Sequence, residues 1–81
     1  LMIHLITSEN ALTDALEWIE ARDQVILAGE ALQALHRIPS ISSPVAIFED
    51  DAACVSPGNY ITLSMDQWID ALEGSPCRTW S

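Results

Sequence analysis

Short apolar runs recur along this chain, and a segment of helical spacing or a turn follows each one; that alternation restricts the fold more than any other feature. Met2-Ile3-His4-Leu5-Ile6, Gln24-Val25-Ile26-Leu27-Ala28, Val45-Ala46-Ile47-Phe48 and Tyr60-Ile61-Thr62-Leu63 are the predicted strands. The second and third are apolar on both faces, as central strands of a parallel sheet are. Between the first two, Leu12, Leu16 and Ile19 recur at helical spacing beside Ala15 and Trp18, which predicts a helix over Asn10–Ala21. Thr7-Ser8-Glu9-Asn10 supplies oxygens for its first amides, and Glu9 lies where the helix dipole favours negative charge. Gly29 opens a second helix that carries Leu32 and Leu35 and ends before Pro39.

The last helix has the clearest local signature. Ser64 and Gln67 fit a capping box, and Leu63 and Trp68 fit a hydrophobic staple. Trp68, Ile69 and Leu72 are its expected buried stripe, and Gly74 and Pro76 its stop. Ile38 to Pro44 reads as a polar loop. Ala52 to Asn59, with its Pro57-Gly58 turn, has room for at most one helical turn. Residues 75–81 read as a C-terminal tail whose Trp80 calls for burial. The fold expected is a single α/β domain over 1–81. It has a small, open, mainly parallel four-stranded sheet with helices on both faces, a flavodoxin-like layering. Sites in such sheets gather beyond the carboxyl ends of the strands. Thr7-Ser8, Gly29-Glu30, Glu49 to Cys54 and Ser64 are expected along that rim.

Charge then removes whole classes of function. The 81 residues include twelve acidic ones, three arginines and no lysine, for a net charge of −9. Such a surface repels phosphate backbones, so direct nucleic-acid binding is not expected. Without lysine there is no Schiff-base chemistry and no P-loop lysine. A 49% hydrophobic content is too high for a disordered chain, and no apolar run reaches the length of a membrane span. Met2 reads as the initiator and Leu1 as a leftover. The start has neither the basic region nor the cleavage site of a secretory leader, so a cytoplasmic location is expected. There Cys54 and Cys77 stay reduced. They lack the spacing of a redox pair, and neither they nor His4 and His36 have zinc-ligand spacing. No cofactor or metal is expected.

Cys54 is the candidate nucleophile, since it follows the third strand on the expected rim. Glu49, Asp50 and Asp51 just upstream argue against an activated thiolate, because negative neighbours raise a thiol pKa. Cys77 has Arg78 beside it, a better electrostatic neighbour, but sits in the tail. A small half-buried apolar residue is the ordinary reading of both. The acidic triplet lacks the further acidic residues after strand one, and the lysine, that a phospho-acceptor site needs. Thr7–Asn10 is a weak phosphate-loop signal, because hydroxyl residues are ordinary helix caps. His4 is expected to be buried with a backbone partner, and His36 to sit at a helix C-terminus. Trp18, Trp80 and Tyr60 are the candidate interface residues, with Ile41 and Val55 as further apolar residues outside the core stripes.

Several blocks together resemble the TusB/DsrH family: Met2-Ile3-His4-Leu5, Leu27-Ala28-Gly29-Glu30-Ala31, Glu49-Asp50, and Thr62-Leu63-Ser64 followed by Met65-Asp66-Gln67-Trp68-Ile69-Asp70-Ala71-Leu72, with a terminal Trp80. The resemblance spans nearly the whole chain, which is shorter than the family between strands three and four. It implies a DsrEFH-like fold and a subunit of the TusBCD or DsrEFH sulfur-relay complexes, heterohexamers that carry sulfur as a cysteine persulfide. The partners implied are TusC/TusD-like (DsrF/DsrE-like) homologous subunits. The pathway implied is 2-thiolation of the tRNA wobble uridine, or dissimilatory sulfur oxidation for a DsrH-like role. The carrier cysteine belongs to the TusD/DsrE subunit, and the helix-one cysteine of some DsrH-type subunits has no counterpart in Asn10–Ala21. A structural subunit is therefore expected. A persulfide carrier acting through Cys54, and a small homo-oligomeric interaction domain without sulfur chemistry, remain alternatives.

Overall fold

Five strands form the sheet, one more than the sequence predicts. The computed structural model describes residues 1–37 and 43–81. In chain order the elements are β1 (Ile3–Ile6), α1 (Glu9–Ala15), β2 (Gln24–Leu27), a 3₁₀ helix (Gly29–Ala34), β3 (Val45–Phe48), α2 (Glu49–Ala52), β4 (Ile61–Leu63), α3 (Met65–Gly74) and β5 (Cys77–Trp80). All pairings are parallel and the order is β4-β3-β2-β1-β5. The residues read as a tail thus form an edge strand, with Ile3 opposite Cys77 and Ile6 opposite Trp80. Cys-Arg-Thr-Trp has no apolar run of its own. It is a strand because β1 would otherwise present an unpaired edge of backbone donors and acceptors.

Register divides the side chains between the two faces. His4, Ile6, Val25, Leu27 and Ile47 point to one face, where Ala11, Leu12 and Ala15 of α1, Ala31 and Ala34 of the 3₁₀ helix and its cap Leu35 pack with Ile6, Val25, Leu27 and Ile47. Ile3, Ile26 and Ala46 point to the other, beneath Trp68 and Ala71 of α3. Helices therefore do cover both faces. The coverage is unequal, because α3 alone lies across the second face between the two edge strands.

Several helix expectations need correction. α1 ends at Ala15 with Leu16 as its cap, well short of Ala21. No basic residue occupies its last turn, and the Asp23 carboxylate accepts the Glu20 backbone N–H, which turns the chain back toward β2. Leu16 and Ile19 still pack on the core, from outside the helix. The second helix is 3₁₀, entered through Gly29 at φ 55°. A Cβ there would lie 3.3 Å from the Thr7 carbonyl oxygen, so both backbone and space favour glycine. The acidic triplet Glu49–Asp51 is itself the single turn of α2, earlier than the turn expected after Ala52. The loop expected over Ile38 to Pro44, and Ile41 with it, falls largely outside the described residues.

α3 begins as its sequence predicts. Ser64 Oγ accepts the Gln67 N–H at 3.1 Å, and Gln67 Oε1 accepts the Ser64 N–H at 2.8 Å. Its inward face differs from the predicted stripe. Trp68 and Ala71 meet the sheet, with Trp68 edge-on to Phe48 at 5.5 Å, while Ile69 and Leu72 stay 48% and 42% exposed.

Candidate functional site

The most organised polar cluster lies toward the amino ends of β1 and β2, on the side of the sheet away from the rim expected to carry a site, and Trp80 reaches back to it from the carboxyl end of β5. His4, 1% exposed, projects from β1, and Asp23, 5% exposed, precedes β2. His4 Nε2 and Asp23 Oδ2 are 2.8 Å apart. On the other side of the ring, the Trp80 indole N–H donates to His4 Nδ1 at 3.1 Å. An indole can only donate, so Nδ1 is the acceptor and Nε2 carries the proton donated to Asp23. The partners of His4 are therefore two side chains, not the backbone group expected.

Asp23 is held from three sides. Its Oδ2 accepts the Glu20 N–H and the His4 N–H, and its Oδ1 accepts the Met2 N–H. The Glu20 amide, then the His4 hydrogen bond, hold the carboxyl down at about 2 against an ordinary 3.8, with burial opposing them. Outward from this pair, the Arg78 guanidinium sits 3.9 Å from the Trp80 ring centroid and 5.9 Å from that of Trp18. The cluster lines a cleft of about 390 Å³ shared with Met2, Glu20 and Pro76.

Chemically the cluster is closed. Both His4 nitrogens and both Asp23 oxygens are engaged within the chain, so neither side chain is a free base toward the cleft. Among the described residues, no buried side-chain polar atom lacks a partner, and no group of three or more His, Cys, Asp and Glu could hold a metal. Sequence reasoning missed this relay. Its one signal was a histidine inside an otherwise apolar strand, which asks for a partner without naming it.

The candidate residues themselves are dispersed. Cys54 is exposed just after α2, where the Asp51 carbonyl accepts its backbone N–H. Cys77 lies on β5, not in a tail, at the opposite edge of the sheet from β4. It is exposed as a residue, yet partial burial pushes its thiol up from the ordinary 9.0, against a smaller opposing effect of the Leu5 backbone. Trp18 is 62% exposed. Trp80 and Tyr60 are half-buried against their own core, and the Tyr60 hydroxyl donates to the Ser56 carbonyl. His36 is exposed and faces Gly58. Ser8 and Ser64 serve as helix caps.

The fold defines a small α/β domain with an all-parallel five-stranded sheet. No protein-family model, curated protein or solved structure matches the chain. No helix among the described residues is long and apolar enough to cross a membrane.

Proposed function

We propose that this chain is a structural subunit of a cytoplasmic sulfur-relay complex of the TusBCD/DsrEFH kind, supporting 2-thiolation of the tRNA wobble uridine without carrying sulfur itself. The sulfur-relay part rests on the resemblance of Met2–Leu5, Leu27–Ala31, Glu49-Asp50 and Thr62–Leu72 to the TusB/DsrH family. The partners are then TusC- and TusD-like homologous subunits.

The observation that carries the non-carrier role is the surroundings of the two thiols. A persulfide carrier needs a thiolate lowered in pKa by a cation or a helix N-terminus. Cys54 follows Glu49, Asp50 and Asp51 and sits beyond the C-terminal end of α2, the wrong end of the dipole. The Cys77 thiol is shifted up, away from reactivity.

The test is sulfur transfer from a cysteine desulfurase and labelled cysteine, with TusC- and TusD-like proteins of the same genome present and absent. Label should reach a partner and stay off this chain, which should co-purify with those partners. Reductant-sensitive label on the isolated chain, removed by Cys54→Ser, would replace this reading with the carrier. Failure to bind either partner would leave the sulfur-relay role without support.

A further inference from the structure

The apolar residues of α3 divide into two sets. Trp68 and Ala71 face the sheet, whereas Met65, Ile69 and Leu72 are 63%, 48% and 42% exposed. At 3.6 residues per turn these three occupy one flank, an arc of roughly 60°. Asp66, Asp70 and Glu73 fill the next arc of roughly 60°, and all three are exposed. Ile61 of edge strand β4, 52% exposed, pairs in register with Ala46 and so points to the same sheet face as α3. An apolar stripe bordered by carboxylates on one side thus shares its sheet face with an exposed isoleucine of an edge strand.

We infer that this flank of α3 is a docking face for a partner protein that presents an apolar stripe edged by lysine or arginine. Charge selects the occupant. A second copy would bring its own Asp66, Asp70 and Glu73, and a further net charge of −9, against the same border. Like charges facing each other across an interface oppose association, and a basic border turns the same carboxylates into attraction. An anionic lipid surface is excluded by the same repulsion. The inference deepens the subunit reading and draws the existence of a partner from it, but the face and its chemistry stand on α3 alone.

The probe is a synthetic amphipathic helix with a leucine stripe edged by lysines, labelled for fluorescence anisotropy. Its counterpart has glutamates in place of the lysines. The intact chain should bind the lysine helix at least about tenfold more tightly than the glutamate helix. Ile69→Ser with Leu72→Ser should weaken binding about tenfold, and Asp66→Asn with Asp70→Asn should weaken it less and flatten its salt dependence. Because all four residues are exposed, circular dichroism should report an unchanged fold. Absence of binding to the lysine helix, or equal binding by the Ile69→Ser/Leu72→Ser variant, overturns the proposal. So does a sedimenting dimer that this variant abolishes, since the occupant would then be a second copy. Binding of the lysine helix without binding to TusC- or TusD-like proteins keeps the face and sinks the sulfur-relay reading; the reverse pattern does the opposite.

Discussion

The Trp80 indole N–H donates to His4 Nδ1 across 76 positions of sequence, and this bond ties the last strand to the first. Trp80 O also accepts both the backbone N–H and the hydroxyl of Thr7, so β5 is fastened at its carboxyl end as well. Trp80→Phe keeps an aromatic side chain, though a smaller one, and leaves a buried imidazole nitrogen without its donor. It should destabilise the protein by roughly 1–3 kcal/mol, read from urea denaturation. Deleting Cys77–Ser81 uncovers the whole β1 edge and should lower Tm further. An unchanged melting curve in the deletion would show that β5 contributes nothing.

Asp23 makes stability depend on pH. Its carboxyl is held at about 2 in the folded chain against an ordinary 3.8. A depressed folded value means that the stabilisation is present in full above about 3.8 and is lost as pH falls through about 2. At neutral pH it amounts to roughly 2 kcal/mol. Denaturation midpoints should fall between pH 5 and pH 2 more steeply in the parent than in Asp23→Asn, which should be less stable at pH 7 and flatter with pH.

The Cys77 thiol should behave as an unactivated one. Cys77, shifted upward, should be alkylated by iodoacetamide more slowly than a free cysteine at neutral pH, with its rate rising only at more alkaline pH. The separate Cys→Ser variants assign the two rates by mass spectrometry. Fast alkylation of Cys77 at pH 7 would contradict its environment.

The capping box of α3 should have a measurable energy. Ser64→Ala removes the acceptor for the Gln67 N–H and should cost about 1 kcal/mol in thermal or urea unfolding. Gln67→Ala should cost less, because the Ser64 N–H it frees can meet water. A double mutant that loses less than the sum of the two would mark the caps as coupled.

Gly29 should resist substitution. At φ 55°, and with Thr7 O 3.3 Å from the position of a Cβ, Gly29→Ala should destabilise by about 1 kcal/mol or more. Alanine at Gly74, where nothing lies within 4 Å, should be tolerated.

Much of the fold was legible. β2 and β3 were readable because a strand buried on both faces must be apolar at every position, and α3 because its cap is encoded within four residues. The α1 boundary was not, because Leu16, Trp18 and Ile19 keep helical spacing after the backbone has left the helix. Beyond its Leu16 cap the chain follows a turn in which the Asp23 carboxylate takes the Glu20 amide, a contact the apolar spacing does not record. Periodicity in α3 marked an apolar arc, but not which part of it would meet the sheet. The sheet touches Trp68 and Ala71, and so turns Ile69 and Leu72 outward.

By itself, then, the sequence determined the alternation of strands and helices, the acidic surface, the absence of lysine chemistry and the cap of α3. Each of these depends on residue identity or on neighbours a few positions apart, where covalent geometry sets what can meet. Only the tertiary structure decided that Cys-Arg-Thr-Trp is a strand and that His4 is shared by Asp23 and Trp80. The exposed flank of α3 was decided the same way. These depend on groups 19 and 76 positions apart, or on a whole sheet. Their meeting requires the sheet to form first, so no local pattern records it.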